Sequence, residues 1–307
     1  MTSLIGNAPV DGVDVAALLG IPISAEQERA VQAPLKPCAV IAGAGTGKTT
    51  VMAARVVWLV ASRLVSPEEI LGLTFTNKAT AELSERIESN LTRVGLLTSE
   101  QPRPTVATYD SFAGTLVNDY GAWDGISTGA HLITGARAYQ LAAEVVMGLD
   151  KAPLAATHMG PTFIAQAVVK LAGAMASHDA SPGKVRRADA RWRQMLLAAP
   201  TKRGGDRYAD IDKWLSRVDE REELLDLVAA YQNLKKERGL VEFGDRMVQA
   251  LHLVTHHPRV GEELRARYRV VLLDEYQDTS SAQADVLAAL FSGPDSAHGM
   301  GHPVMAV

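Results

Sequence analysis

Short apolar runs alternate with segments of helical periodicity at both ends of the chain. Five of these runs have the length and composition of strands buried on both faces, at 38–42, 70–75, 105–108, 270–273 and 303–307. Segments with helical patterns follow the first three runs. This alternation predicts an α/β fold in which helices cover both faces of a parallel sheet.

The pattern changes between Gly121 and Leu240. Strand-like runs disappear there, and long helical patterns dominate, among them 138–149 and 220–238. We therefore predict a helical insertion at 121–240 that divides the α/β domain into a first part, 1–120, and a second part, 241–307.

Composition narrows the class of protein. A hydrophobic fraction of 47% excludes general disorder, and a net charge of −4 excludes a strongly polybasic protein. The single cysteine, Cys38, excludes a disulfide framework and a cysteine-rich metal site. The first twenty residues lack the basic start of a secretory signal, and no apolar run is long enough to cross a membrane. We expect a soluble, cytoplasmic chain without a membrane partner.

Basic residues concentrate in one part of the predicted insertion, where few acids accompany them. They are Lys184, Arg186, Arg187, Arg191, Arg193, Lys202, Arg203 and Arg207. Such a cluster suits a nucleic-acid phosphate backbone, although a solvated helix face is the more common origin of a charge run. Both interpretations stay open at this point.

A glycine-rich segment follows the first predicted strand and precedes a helical pattern. It fits the phosphate-loop pattern, with alanine at the first glycine position, and comprises Ala42, Gly43, Ala44, Gly45, Thr46, Gly47, Lys48, Thr49 and Thr50. Small residues let consecutive N–H groups wrap a polyphosphate, Lys48 would reach the β- and γ-phosphates, and Thr49 would hold Mg²⁺. The alternative is a chance glycine-rich turn, which the flanking strand and helix disfavour.

Two acids end the fourth predicted strand, Val270–Leu273. Asp274 would lie at the carboxyl edge of the sheet and bind Mg²⁺ through water, and Glu275 would orient and deprotonate an attacking water. Acids at a strand end also occur as simple caps. The long separation between Lys48 and these acids requires an insertion such as the one predicted above.

The residues after Glu275 carry a resemblance to a known family. Glu275-Tyr276-Gln277-Asp278-Thr279 resembles a motif of superfamily 1A DNA helicases of the UvrD/Rep/PcrA type. The resemblance implies a RecA-like P-loop NTPase fold, namely a first motor domain (1A) with a 1B-like helical insertion, and ATP and Mg²⁺ as cofactors. Gln277 would couple the state of the γ-phosphate to DNA. Gln27, in a segment similar to the family's adenine-recognising element, would bond the adenine edge.

Two further segments resemble single-stranded DNA contacts of that family. In Leu73–Ala79, the residues that match DNA-backbone contacts are Thr74, Thr76 and Asn77, and the residue that matches a base contact is Phe75. In Ala107–Ala113, the matching residues are Thr108 and Ser111. Asp110 replaces the family's histidine, which disfavours a phosphate contact there. Without the resemblance, Phe75, Tyr109 and Phe112 would be interpreted as core side chains. Val241–Asp245 is similar to the stretch at which the family's chain re-enters the motor domain.

The resemblance implies an ATP-dependent DNA helicase or translocase. It would move 3′ to 5′ on single-stranded DNA, act at duplex junctions, and serve DNA repair or recombination. An actinobacterial helicase–nuclease subunit of the AdnAB kind, with a partner subunit, is a narrower possibility. The family's third motif and its C-terminal motor domain do not follow Val307, so we expect this chain alone to bind nucleotide weakly, hydrolyse it poorly and not unwind DNA. The alternative is an ATP-dependent DNA-binding switch or platform without motor activity.

Overall fold

A computed structural model describes residues 12–43, 45–127, 129–151, 160–202 and 205–307. They form two compact units. Unit 1 comprises the described residues within Met1–Tyr120, Ala250–Thr279 and Gln283–Val307, and unit 2 those within Gly121–Gln249 and Ser280–Ala282. Among the described residues, no helix is both long and apolar enough to span a bilayer.

The secondary-structure elements are numbered in chain order. The strands are β1 (Cys38–Ala39), β2 (Ile70–Thr74), β3 (Thr105–Thr108), β4 (His131–Leu132), β5 (Leu240–Val241), β6 (Val270–Leu273) and β7 (Val304–Ala306). The helices are α1 (Val15–Leu19), α2 (Ala25–Val31), α3 (Lys48–Ala61), α4 (Asn77–Arg93), α5 (Tyr109–Tyr120), α6 (Gly135–Met147), α7 (Pro161–Ser177), α8 (Pro182–Leu197), α9 (Ala209–Glu237), α10 (Phe243–His256), α11 (Pro258–Arg267) and α12 (Ser281–Phe291). Short 3-10 helices span Pro67–Glu69, Gly121–Asp124, Tyr276–Asp278 and Ser296–His298.

Unit 1 contains a five-stranded sheet in the order β1-β7-β6-β2-β3, and all neighbouring strands are parallel. This confirms the predicted α/β fold with a parallel sheet. Leu273 lies opposite both Leu73 and Ala306, so the carboxyl ends of the three central strands are level. The first strand is shorter than predicted because the chain leaves the ladder after Val40 donates to the Ala306 carbonyl at 2.8 Å. Ile41 beyond it is fully exposed.

The helix that follows the glycine-rich loop lies at the centre of unit 1. Along α3, residues 51–57 are all buried, which is typical of a helix covered from several sides rather than along one stripe. It packs against α1, α2 and α4. Met52, Val56 and Leu59 join Ile70 and Leu272 in one hydrophobic cluster, so the sheet and the loop's helix share a core.

Unit 2 has its own core between α6, α7 and α9. Leu141, Ile164, Val168, Leu225 and Tyr231 are almost fully buried there. The structure differs from the purely helical expectation in one respect, because β4 and β5 form a parallel pair with Leu132 opposite Val241. Two-residue strands are too short to show a period in the sequence, and tertiary contacts alone create this pair.

The basic cluster on α8 faces acids of α9. Arg186 bonds two carboxylates at 2.6 Å, and the pairs that involve α9 are Arg186–Glu222, Arg186–Asp226, Arg193–Asp219, Arg221–Asp189 and Arg207–Asp212. Lys184 instead lies 3.1 Å from Asp179, which precedes α8. Arg203 lies outside the described residues. Few acids are close to these cations in the sequence, but acids of α9 lie beside several of them in the structure. Several of the cations therefore help to hold α8 against α9.

A buried lysine joins the end of α9 to the start of α10. Lys235 is 3% exposed, and its Nζ lies 2.7 Å from Glu242 Oε2 and 2.6 Å from Asp245 Oδ2. The Tyr231 hydroxyl donates to the same Glu242 oxygen at 2.8 Å, and burial raises the pKa of that hydroxyl. The acids of the segment 241–245 therefore stabilise a helix junction within unit 2.

We predict that Lys235→Met destabilises unit 2 by about 3–5 kcal/mol, because two carboxylates stay close together without their buried cation. Urea unfolding followed by tryptophan fluorescence measures this, since Trp123, Trp192 and Trp214 all lie in unit 2. Lys236→Met, which removes the exposed neighbouring charge, is the matched control. Equal free energies of unfolding for the two variants would contradict the role of Lys235.

Candidate functional site

The glycine-rich loop connects β1 to α3 and depends on two glycines. Gly45 and Gly47 have φ of 78° and 84°, a left-handed conformation that favours glycine. A Cβ at Gly47 would also lie 3.1 Å from the Gln27 Nε2. Thr46 closes the turn, because its Oγ1 donates to the Gly43 carbonyl at 2.8 Å. Ala44 lies outside the described residues, and Ala42 is half-buried at the start of the loop.

Three predicted site residues form the first turn of α3. Lys48, Thr49 and Thr50 follow the cap residue Gly47 and are all half-buried. The unpaired N–H groups and the positive end of the helix dipole therefore point to the place where these side chains lie. Thr50 has an additional partner, because Arg86 Nη1 of α4 donates to its Oγ1 at 3.0 Å.

An ion pair connects this turn to the acidic end of β6. Lys48 Nζ lies 2.9 Å from Glu275 Oε2, and Gln277 Nε2 donates to the same oxygen. The structure thus brings Lys48 together with two residues, Glu275 and Gln277, that lie far from it in the chain. The parallel sheet makes this ion pair possible. Strands β1 and β6 flank β7 and run in the same direction, so their carboxyl ends lie at the same edge of the sheet.

Glu275 holds an unusual backbone conformation. Its φ of 48° and ψ of 42° are left-handed, which a residue with a Cβ adopts at a cost of about 1–3 kcal/mol. The flanking hydrogen bonds maintain it: Tyr276 N donates to the Val307 carbonyl at 3.2 Å, and Val307 N donates to the Leu273 carbonyl at 2.9 Å. The turn directs the Glu275 carboxylate at Lys48.

The pKa values of the two adjacent acids are shifted in opposite directions. The hydrogen bond from Lys48, and then that from Gln277, lowers the pKa of Glu275. Burial, and then the charge of Glu275, raises the pKa of Asp274, whose side chain belongs to a residue only 7% exposed. Glu275 is therefore ionised at neutral pH, whereas the charge of Asp274 lacks the solvation that would stabilise it.

The oxygen donors at this edge fit a magnesium ion. Mg²⁺ prefers hard oxygen ligands and needs only one or two from protein when phosphates and waters supply the rest. Thr49 would contribute a hydroxyl, and a cation would compensate the charge of the buried Asp274 carboxylate. Within the described ranges, no group of three or more His, Cys, Asp or Glu side chains forms an all-protein metal site.

Gln27 lies beside the loop on α2. Its Oε1 accepts from Ser24 N at 2.9 Å, while Ser24 Oγ accepts from Gln27 N at 3.3 Å, so the two residues form a capping box. Its Nε2 donates to the Thr46 carbonyl at 2.9 Å. The Gln27 carboxamide is therefore fixed between a helix start and the phosphate loop.

The predicted DNA-contact residues of the second strand occupy different environments. Thr74 is fully buried, and its Oγ1 lies 2.6 Å from the Thr80 hydroxyl. Thr76 caps α4 by accepting from Ala79 N at 3.0 Å, and Asn77 begins that helix on the exposed surface. Phe75 is 37% exposed. The structure thus presents Phe75, Thr76 and Asn77 to solvent and encloses Thr74.

Thr108, the last residue of β3, bonds Ser111 in the first turn of α5. Thr108 Oγ1 accepts from Ser111 N at 3.0 Å and donates to Ser111 Oγ at 2.8 Å, and only Ser111 is exposed. Asp110 turns toward Gln283, whose Nε2 lies 3.4 Å from its Oδ1, and burial raises the pKa of that carboxyl. Phe112 is a buried core residue, as its default interpretation held.

Tyr109 is a site residue that sequence analysis missed. Its hydroxyl donates to the backbone carbonyl of Asp274 at 3.1 Å, and its ring meets Phe75 edge-to-face with centroids 5.3 Å apart. It is 3% exposed, so burial raises the pKa of the hydroxyl and keeps it a donor. Arg86, which bonds Thr50, was missed as well. No local pattern marks either residue, because both act across long stretches of chain.

We predict that Asp274→Asn raises the melting temperature of the metal-free protein at pH 8. A carboxyl whose pKa is raised by folding destabilises the fold above that pKa, and the amide removes the charge. The gain should shrink as the pH falls through the raised pKa of Asp274 and vanish below the ordinary aspartate pKa of about 3.9, where the carboxyl is protonated in both states. Scanning calorimetry in EDTA measures it, with Asp278→Asn, an exposed acid, as control. A lower melting temperature at pH 8 would contradict the electrostatic argument.

Comparisons with known proteins show which family the chain resembles. A model of the UvrD/REP helicase N-terminal domain matches residues 23–303. The chain is 26% identical over 272 residues to DNA helicase II of Rickettsia typhi, covering 88% of this chain and 36% of that protein. It is 27% identical over 266 residues to ATP-dependent DNA helicase UvrD1 of Mycobacterium leprae, covering 85% and 29%. It is 28% identical over 272 residues to DNA helicase II of Haemophilus influenzae, covering 88% and 32%.

The chain spans about a third of the length of these relatives. The matched region includes the phosphate loop, both acids at the end of β6 and the predicted DNA-contact segments. Because the family model covers nearly all of the sequence, the chain belongs to the UvrD/REP helicase N-terminal domain family.

Proposed function

We propose that this chain is the first motor domain, with its helical insertion, of an ATP-dependent DNA helicase or translocase. Unit 1 would be the motor domain 1A and unit 2 the 1B-like insertion. The observation that supports this best is the 2.9 Å contact between Lys48 of the phosphate loop and Glu275 after β6. A phosphate-binding cation and a candidate general base share one sheet edge, which is the arrangement that phosphoryl transfer to water requires.

The phosphate loop and the first turn of α3 would bind the triphosphate of ATP. Backbone N–H groups of the loop and Lys48 would hold the β- and γ-phosphates, while Thr49 would hold Mg²⁺ directly and Asp274 would hold it through water. When bound there, Mg²⁺ would neutralise charge that develops on the phosphates. Gln27, already fixed beside Thr46, would present its carboxamide to the adenine edge.

Glu275 would orient the attacking water and accept its proton. In the structure Lys48 keeps the pKa of Glu275 low, so the carboxylate is a weak base while the ion pair persists. Movement of Lys48 to a phosphate would remove that bond and raise the basicity of Glu275. Gln277, which donates to the same carboxylate oxygen, would report this change to the DNA-binding surface.

Single-stranded DNA would lie along the carboxyl ends of β2 and β3. Phe75 offers a partly exposed ring for base stacking, and Thr76, Asn77 and Ser111 offer exposed polar groups. Thr74 and Thr108 support these residues from below, through bonds to Thr80 and Ser111 respectively. Movement 3′ to 5′, action at duplex junctions, a role in repair or recombination, and a helicase–nuclease partner stay predictions of the family resemblance.

The ion pair generates a prediction in which two variants change MgATP affinity in opposite directions. Lys48→Ala should weaken binding about 10- to 100-fold, because it removes a charged phosphate contact. Glu275→Gln should leave binding unchanged or tighten it up to about fivefold, because Lys48 no longer has to leave a partly exposed carboxylate. Titration calorimetry with MgATP measures both.

Hydrolysis by the same variants tests the catalytic assignment. Glu275→Gln should lower any phosphate release, with or without oligothymidylate, to the level of Lys48→Ala. Glu275→Gln that binds MgATP as poorly as Lys48→Ala would contradict the proposed exchange of partners by Lys48. Full turnover by Glu275→Gln would contradict its role as base. Nucleotide-dependent DNA binding that never requires hydrolysis would favour the switch or platform.

Phe75→Ala should weaken binding of oligothymidylate about 5- to 100-fold, because one base loses an aromatic stacking partner. Fluorescence anisotropy with a labelled oligonucleotide measures the affinity. Phe163→Ala is the matched control, since Phe163 is 60% exposed on α7 and belongs to neither predicted DNA-contact segment. Equal DNA affinities for the two variants, with melting temperatures unchanged, would exclude Phe75 as a base contact.

A further inference from the structure

Arg55 carries a buried charge in the middle of α3. The residue is 1% exposed, and burial lowers the pKa of its guanidinium. Its partners are backbone carbonyls of one short segment: Nη1 donates to Ala30 (3.3 Å), Val31 (3.0 Å) and Ala33 (2.8 Å), and Nη2 donates to Pro34 (3.4 Å). Burial of a guanidinium is costly, so this arrangement needs a compensating role.

These carbonyls belong to the end of α2 and the turn after it. The last carbonyls of a helix have no partner within the helix, and they form the negative end of its dipole. The carbonyls of Ala30 and Pro34 also accept backbone N–H groups. The guanidinium of Arg55 adds hydrogen bonds to this end, reaches Val31 and Ala33 as well, and places a positive charge at the negative end of the dipole. Because α2 has only seven residues, it is too short to be stable alone and depends on such external contacts.

Both ends of α2 are therefore tied down, and Gln27 lies between them. Ser24 caps the start of the helix, Arg55 holds its end, and the Gln27 carboxamide bonds the Thr46 carbonyl of the phosphate loop. Arg55 follows Lys48 by two helical turns on α3, so both lie on the same face of that helix. One rigid helix thus carries the phosphate-binding lysine and the anchor of the Gln27 helix.

We propose that Arg55 is a positioning residue for nucleotide base selectivity. By fixing α2 to α3, it sets the distance of the Gln27 carboxamide from the bound phosphates, so that only an adenine edge meets it correctly. The proposal rests on the proposed function, in which Gln27 contacts adenine. Arg55 itself lies in the core and touches no nucleotide.

A purely structural role would weaken every ligand equally, whereas a positioning role changes the ratio between bases. The test compares the dissociation constants of MgATP, MgGTP and base-free magnesium tripolyphosphate by titration calorimetry. We define base selectivity as the dissociation constant of MgGTP divided by that of MgATP. For Arg55→Met we expect this ratio to fall about tenfold toward unity. Binding of tripolyphosphate should stay within about twofold of wild type. Arg55→Lys keeps the charge but not the fork of donors, and should give an intermediate ratio.

Two comparison variants separate this inference from the assignment of Gln27. Gln27→Ala should lose the same selectivity, and adding Arg55→Lys to it should cause no further loss, because both act on one contact. Arg93→Lys is the matched control: Arg93 of α4 donates to the Leu19 carbonyl at 2.7 Å and so anchors α1, which carries no proposed nucleotide contact. It should alter stability but leave the ratio unchanged.

Each outcome decides one assignment. If the folded variants Arg55→Met and Arg55→Lys keep the selectivity of wild type while Gln27→Ala loses it, the role of Arg55 is overturned and that of Gln27 stands. An unchanged ratio in Gln27→Ala would overturn the adenine contact on which it rests. If neither Arg55 variant folds, Ser24→Ala decides, because it releases the exposed end of α2. Retained selectivity in Ser24→Ala would show that anchoring of α2 does not set the base contact.

Discussion

The candidate site depends on a single register, that of the central parallel strands of unit 1. Leu273 lies level with Leu73 and Ala306, so β2, β6 and β7 end at the same edge. Only this alignment places Glu275 within 2.9 Å of Lys48, although the two residues come from distant parts of the chain. Because side chains alternate between the faces of a strand, a slip of one residue would turn the side chains of β6 to the opposite face and displace the two acids that follow the strand.

The edge of the sheet also concentrates features that reduce stability. Glu275 has a left-handed backbone, Asp274 is a buried acid with a raised pKa, and Lys48 is held by a carboxylate rather than by solvent. Each is unfavourable or neutral for folding alone, and each would become useful in the proposed binding of a polyphosphate and a cation. Tyr109 connects the two proposed ligand surfaces, because its hydroxyl bonds the Asp274 carbonyl and its ring packs edge-to-face on Phe75.

Both units use a buried cation to tie a helix junction. In unit 2, Lys235 bonds Glu242 and Asp245, and in unit 1, Arg55 bonds four backbone carbonyls. The chemistry differs for a geometric reason. An ammonium suits two carboxylates that approach from different directions, whereas a planar guanidinium reaches several carbonyls at one helix end. Neither cation is marked by its neighbours in the sequence, since lysines and arginines are usually exposed.

Local pattern in the sequence determined the strands of unit 1, the glycine-rich loop and the acids after β6, because burial on both faces and a tight turn leave composition signatures. Tertiary structure alone decided the rest. The β4–β5 pair is too short for periodicity, Thr74 is enclosed by Thr80, and the α8 cations meet acids of α9. Arg55 and Tyr109 act on backbone carbonyls, which every residue type possesses. Tertiary packing determines which carbonyls these side chains bond, so the neighbouring residues in the sequence do not predict the contacts.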